Sequence, residues 1–338
     1  MTDTATVVAT GRYLPERLVT NAELRERFAS QDQGELIDRF ADNSGIEQRY
    51  WAQSHQTTSD LAAAAATQAL DRAGYSAGEL DLIILGTDTP DHITPATSVV
   101  LQAKLGAQNA GTFDVSCACA AFPTALSIAN GLIASNPTIN RVLVVGAYLM
   151  HRLAAADDPM IFFYGDGAGA AIVERQSTGS GIIATAFDAD GDYAKHWGIR
   201  AGGTAEPASH AAVSAGRTQV RLETRYPPEL NERQWPKLMH QLSQRGDFAL
   251  DEIALAVFTQ VNADSIQRVC ASLAIAAERA PCLMDQYGYT GSACVPIALD
   301  HALTTGQVKG GELVTLIGSG VGYNMAGVAL RLAEEMRQ

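Results

Sequence analysis

Residues 111–135 read GTFDVSCACAAFPTALSIANGLIAS. GTFDVS has the pattern of a strand, and AAFPTALSIANGLIAS that of an apolar helix. The stretch between them, DVSCACAAF (114–122), is therefore a strand-to-helix corner, and it carries two of the five cysteines. Cys119 falls at the junction, near the helix N-terminus, where unpaired N–H groups and the helix dipole favour a thiolate. A thiolate on such a corner is a nucleophile, and its own N–H can join an oxyanion site. Cys117 falls at the strand end, where a small apolar filler is expected. Position alone leaves a buried structural thiol open at 119.

The same corner recurs further along the chain. CAAFPTALSIANGL (119–132) lines up with SACVPIALDHALTTG (292–306), pairing Pro123 with Pro296 and Leu126 with Leu299. At the same offset of 173 residues, GELDLIILGTDTPD (78–91) lines up with LDEIALAVFTQVNAD (250–264), ending Asp91 against Asp264. YGDGAGAAIVE (164–174) and IGSGVGYNMAGVALRL (317–332) are both glycine-rich turns entering an apolar strand. The common order and offset predict a structural duplication, with an N-terminal half over 1–175 and a C-terminal half over 176–338. The strand patterns, such as LIILGT and RVLVVGAY, are almost wholly apolar, which suits sheets covered by helices on both faces. Two such halves make a layered α/β/α/β/α body with a pocket at the seam. Residues 187–224, rich in Gly, Ala, Ser and His, read as a long excursion.

Composition narrows the function. With 47% hydrophobic and 18% charged residues, the 338-residue chain is that of an ordinary globular protein. A net charge of −13 repels phosphate backbones and argues against nucleic-acid binding. Five cysteines without a secreted spacing read as reduced thiols. The opening MTDTATVVATGRYLPERLVTN lacks the pattern of a signal peptide, and no apolar stretch is expected to reach the roughly 18 residues needed to span a bilayer. The expectation is a cytoplasmic protein. Cys117 and Cys119 have no second cysteine pair, so no metal site is expected. There is no phosphate-binding loop or dinucleotide fingerprint, so no nucleotide cofactor is expected.

The pattern D-V-x-x-x-C-x-x-F resembles the active-site block of the β-ketoacyl-ACP synthase III family, which has the thiolase fold. The likeness extends over GRYLPERLVTNAEL at the start, SGIEQR (44–49), TPDHITPATS (89–98), YGDGAGAAIV (164–173), the AGG at 201–203 and GSGVGYNMAG near the end. The resemblance implies an α/β thiolase-like fold, two duplicated halves in five layers. It also implies that Cys119, and not Cys117, takes an acyl group from CoA or acyl carrier protein as a thioester. No cofactor beyond that acyl thioester is implied. A homodimer is implied, with the TPDHITP loop reaching the partner, and an acyl carrier protein is a candidate partner.

The departures shape the chemistry. The family completes its site with a histidine in a P-H-Q-A-N-like block and an asparagine in a Y-G-N-T-like block. Here those blocks read FTQVN (258–262) and YGYTGSACVP (287–296), placing Thr259 and Tyr289 at the two positions. The pair normally donates to a malonyl thioester carbonyl while carbon dioxide leaves. Both hydroxyls can donate, but a neutral threonine has no proton chemistry near neutral pH. The second oxyanion N–H falls to Val321 in Gly320-Val321-Gly322, and Arg152 and Asn262 occupy substrate-binding positions. His151 and His196 are the histidines expected nearest the pocket. His92 is placed on the partner-facing loop, and His301 on a packed helix face. The tryptophan that stacks on adenine in the family is absent from GELIDRF (34–40), and Asp264 stands where a basic residue is usual. The expected function is an acyltransferase passing the acyl group from Cys119 to a hydroxyl, amine or carbon acceptor in specialised metabolism. The rival readings are decarboxylative condensation and a non-catalytic partner subunit. The cysteine on its corner argues against the last.

Overall fold

The apolar runs fold as two twisted sheets with helices between and outside them. A computed structural model describes residues 4–177 and 179–337. The strands in chain order are β1 (Thr4–Tyr13), β2 (Arg17–Thr20), β3 (Gln48–Trp51), β4 (Leu82–Gly86), β5 (Gly111–Val115), β6 (Arg141–Tyr148), β7 (Gly167–Gln176), β8 (Gly181–Ala189), β9 (Trp197–Gly198), β10 (Arg221–Leu222), β11 (Ile253–Phe258), β12 (Leu313–Gly320) and β13 (Asn324–Arg331). The helices are α1 (Asn21–Ala29), α2 (Gly34–Ser44), α3 (Thr58–Ala73), α4 (Thr97–Leu105), α5 (Ala121–Ser135), α6 (His210–Ser214), α7 (Leu230–Gly246), α8 (Ala263–Leu273), α9 (Met284–Tyr287) and α10 (Cys294–Thr304).

One sheet has the order β1-β7-β6-β4-β5 and the other β11-β12-β13-β8. In the first, β4 pairs parallel with both β5 and β6; in the second, β11 pairs parallel with β12. Helices α5 and α10 lie between the sheets, α3 and α4 cover the first sheet, and α7 covers the second, with α8 packed on α7. This is the five-layered α/β/α/β/α thiolase fold. Every residue of β4 and β12 is buried, as strands covered on both faces require. The short pairs β2-β3 and β9-β10 lie outside these sheets, the latter within the long excursion.

The duplication is close at the corners. A short 3₁₀ turn, Ala118–Ala120, precedes α5, and its counterpart Gly291–Ala293 precedes α10. Ala118 and Gly291 open these turns with φ of 47° and 45°. Among the described residues, the second sheet has no partner strand equivalent to β5. There the Gln260 amide holds the chain instead, donating to the Pro281 carbonyl and accepting the Leu283 N–H. Ala118–Ser135 is one continuous segment of 18 residues, long and apolar enough by composition to cross a membrane. This corrects the reading that no stretch reaches that length. The segment is apolar because it is the core element, more than half buried between the two sheets.

Buried polar groups tie the layers together. Asp300 on α10 is fully buried and accepts from Thr10 on β1 at 2.7 Å, Arg12 at 2.5 Å and Arg72 of α3 at 2.5 Å. Asp114 of the DVSCACAAF stretch accepts the Thr97 and Ser98 N–H groups at 2.7 Å each. A carboxylate there satisfies the free donors at the start of α4 and complements its dipole.

Candidate active site

Cys119 sits in the 3₁₀ turn and is 3% exposed. The end of β12 presses directly on this turn. A Cβ at Gly320 would lie 2.6 Å from both the Cys119 nitrogen and Ala118 Cβ, and one at Gly318 would lie 2.7 Å from the Cys119 oxygen. The glycine run GSGVG is thus fixed by contact with the cysteine turn. It brings Val321 into the same chamber as Cys119.

The Cys119 Sγ is hydrogen-bonded to Tyr289 Oη. Burial pushes the thiol well above its ordinary range, and Asp88 and Cys294 push it further, against the opposing effect of the Tyr289 bond. The expectation of a dipole-favoured thiolate is corrected here. Helix α5 begins only at Ala121, beyond the cysteine, and desolvation outweighs what its N-terminus offers. The resting thiol is neutral. Cys117 lies past the end of β5, half-buried, and burial raises its thiol too.

Tyr289 is held by its backbone. Its N–H donates to the Phe163 carbonyl at 2.9 Å and its carbonyl accepts from Gly165 at 3.0 Å, which pins it to the YGDG segment. Burial, followed by the neighbouring Cys119, raises its hydroxyl well above the usual phenol range. Three adjoining chambers lie here, and Tyr289 lines two of them. The inner one, about 250 Å³, is lined by Cys119, Asp88, Tyr148 and Met150. The middle one, about 240 Å³, is lined by Thr259, Asn262, Asn231 and Ser319. These two share Tyr289, Val321 and Trp197. The outer one, about 520 Å³, has Arg39, Phe40 and Arg225 on its walls and shares Trp197, Tyr226 and Asn262 with the middle chamber. Trp197, from β9 of the excursion, borders all three.

The other sequence-derived candidates are held as follows. Thr259 is 1% exposed; its hydroxyl accepts the Ser319 N–H at 2.8 Å and donates to the Ser319 carbonyl at 3.3 Å. Its proton therefore points at backbone. Asn262 lines the middle and outer chambers, but its amide is the N-cap of α8, accepting the Ser265 N–H at 2.9 Å and donating to the Asn43 carbonyl at 2.8 Å. Arg152 is exposed, and its guanidinium clamps the Gln56 and Gln53 carbonyls at 2.5 and 2.6 Å. His151 stacks on Trp51 at 4.9 Å and faces the buried Asp166 carboxylate. His196 packs among Tyr193 and Tyr226. Among the described residues, no histidine lines any of the three chambers. His301 accepts or donates to Tyr287 Oη at 2.9 Å on α10.

Sequence reasoning passed over Asp88. It stands two residues beyond β4, where the carboxyl ends of parallel strands gather ligands, and that placement was the available signal. Burial is the main cause pushing its carboxyl up to about 6. Its Oδ1 is buried and has no hydrogen-bond partner among the described residues.

Comparison with known proteins places this site in a lineage. Residues 113–191 match the family described as 3-oxoacyl-[acyl-carrier-protein (ACP)] synthase III, and residues 243–332 its C-terminal counterpart. The chain is 33% identical over 326 residues to a β-ketoacyl-[acyl-carrier-protein] synthase III of Syntrophomonas wolfei, covering 96% of each. It belongs to the β-ketoacyl-[acyl-carrier-protein] synthase III family. A second synthase III, of Caldanaerobacter subterraneus, is 32% identical over 328 residues, covering 97% of each chain. Among solved structures, the synthase III of Aquifex aeolicus is similar at a TM-score of 0.84 and 30% identity, covering 97% of this chain and 99% of that one. The priming β-ketosynthase of the R1128 polyketide pathway is similar at 0.85 and 28%, covering 98% of each. The chain is thus an acyltransferase-class enzyme of the synthase III type, and Thr259 and Tyr289 are features of this chain to be explained within that class.

Proposed function

We propose that this synthase III relative is an acyltransferase whose Cys119 accepts an acyl group from acyl-CoA or acyl carrier protein and passes it to an acceptor hydroxyl, amine or carbon. The observation that carries this reading is the state of Thr259. A hydroxyl bonded both ways to the Ser319 backbone cannot aim a proton at an enolate, and among the described residues no histidine borders the chambers in its place. The usual stabilisation of a decarboxylating malonyl group is missing, while the parts for thioester formation are retained. The Cys119 and Val321 N–H groups are read as the oxyanion donors, and Tyr289 as the donor to the sulfur.

The inner chamber takes the acyl group, and its volume suits a short one. The relative that primes a polyketide pathway supports a place in specialised metabolism. The enzyme is read as a cytoplasmic homodimer that needs no metal or prosthetic group. The loop around Ile93, which is 80% exposed, supports a second copy as partner.

The test is intact-protein mass spectrometry after mixing with straight-chain acyl-CoAs from acetyl to octanoyl, with Cys119→Ala as control. The expected result is one acyl adduct, lost in the variant and discharged by an alcohol or amine without release of carbon dioxide from malonyl-CoA. No adduct with any donor, or carbon dioxide release equal to adduct discharge, overturns the reading.

A further inference from the structure

We infer that Asp88 is the catalytic base of this site, taking the proton of the Cys119 thiol in the first half-reaction and that of the acceptor's O–H or N–H in the second. The inference rests on the acyltransferase reading above. Its starting point is a proton that must go somewhere. The Cys119 thiol is neutral at rest, so attack on a thioester needs an acceptor for its proton.

The candidates in the chamber are few. Asp88 and Cys119 line the same chamber, together with Tyr148 and Tyr289. Among the described residues, no Lys, Arg or His lines it. The titratable groups facing Asp88 are Cys119 on the nucleophile turn, Cys294 at the start of α10, Tyr148 at the end of β6, and Tyr164. Burial raises all four, so all are neutral near pH 7. Tyr289, which bonds the sulfur, is raised as well. Among the described residues, Asp88 is the one lining group able to take up and release a proton near neutrality, its carboxyl being pushed up to about 6. A general base works best with such a value.

Asp88 lies beside its own backbone N–H and the Ser292 side chain, which offset only part of the effect of its burial. Other buried or half-buried carboxylates have charged or backbone partners: Asp300 has two arginines and a threonine, Asp114 has two backbone N–H groups, and Asp166 has His151 and the Ala52 N–H on one oxygen. Asp88 has a buried Oδ1 without a partner and no cation beside it in the chamber. A buried carboxylate left so costs stability and is retained where it serves the chemistry.

The two half-reactions balance around it. In the first, the thiol proton moves to Asp88 as Sγ bonds to the acyl carbon. The C–S bond to the donor then breaks, and the departing thiolate takes the proton from Asp88. In the second, Asp88 takes the acceptor's proton as its oxygen or nitrogen bonds to the acyl carbon. The C–S bond to Cys119 breaks, and the Cys119 thiolate recovers the proton. Asp88 ends each half as a carboxylate, and nothing is oxidised or reduced.

The experiment is rapid-quench mass spectrometry of Cys119 acylation in a single turnover, from about pH 5 to about pH 8. It uses the acyl-CoA of the acetyl-to-octanoyl series that loads the wild type fastest, with Asp88→Asn and Asp88→Glu alongside. The expected result is a wild-type rate that rises with pH through about 6. Asp88→Asn slows acylation about 100-fold or more and loses that rise, while Asp88→Glu recovers part of the rate and the rise. Thermal melts of both variants confirm folding. If Asp88→Asn stays within about threefold of wild type, or if Asp88→Glu is as slow as Asp88→Asn with the wild-type pH profile kept, Asp88 is not the base. A wild type that is never acylated refutes the acyltransferase reading instead, so the two failures are told apart.

Discussion

Replacing Asp88 by Asn is expected to stabilise the protein, and by an amount that grows with pH. The folded carboxyl keeps its proton up to about 6, against 3.8 for an ordinary aspartate. Between those values the folded state binds more protons than the unfolded state, so stability falls as pH rises, and it is level above 6. At about 1.4 kcal/mol per pH unit, the rise from 3.8 to about 6 places the full penalty near 3 kcal/mol at pH 8. Asp88 keeps some solvent exposure, so that figure is a ceiling. At about pH 5 only about half remains, because the unfolded aspartate is ionised and the folded one is not. Urea unfolding of both proteins at about pH 5 and pH 8 measures the difference. The variant should gain up to about 1.5 kcal/mol more over wild type at the higher pH. A difference that is the same at both pH values would falsify the picture of a buried, uncompensated carboxylate, whatever its sign.

Three further changes test other parts of the site and the fold. Tyr289→Phe removes the hydroxyl bonded to Cys119 Sγ, which holds the thiol down, and should slow alkylation of Cys119 by iodoacetamide about tenfold while leaving the melting temperature nearly unchanged. Gly320→Ala puts a Cβ 2.6 Å from the Cys119 nitrogen and should cost about 1–3 kcal/mol in urea unfolding; a neutral result would show that β12 does not press on the turn. Asp300→Ala strands Arg12 and Arg72 and should cost about 3 kcal/mol or more, read as a lowered denaturation midpoint.

The layers were legible because they rest on periodicity and repetition, which are local properties. Almost unbroken apolar strands announce sheets covered on both faces, and the 173-residue offset returns as the matched turns before α5 and α10. The place of Cys119 was legible because a cysteine on a strand-to-helix corner is a local pattern too. What surrounds it was not. Thr259 is occupied by Ser319, 60 residues away, and Asn262 by Asn43, so their fates depend on long-range pairing. Arg152 stands at a substrate-binding position in the sequence pattern, but its guanidinium clamps a loop nearly 100 residues earlier. The neutral thiol escaped notice because desolvation depends on depth of burial, which dipole arguments from sequence leave out.

The duplication also explains why the proposed chemistry falls on only one of its two corners. The turn at Ala118–Ala120 packs against Gly320 at the end of β12; its counterpart at Gly291–Ala293 packs against Tyr148 at the end of β6. The bulk is exchanged between the pairs. In the first, the strand contributes glycine and the turn alanine, and space remains at the thiol. In the second, the turn contributes glycine, where a Cβ would lie 2.2 Å from the Tyr148 ring, and the tyrosine occupies the room. At the position matching Cys119, Ser292 gives its proton to the Ala147 carbonyl at 2.6 Å and is closed off from reaction. The ring of Tyr148 reaches instead into the wall of the Cys119 chamber, beside Asp88. One corner has thus become the lining of the other. A helper for the nucleophile can then arrive from the strand ends that this lining exposes, which is where Asp88 stands.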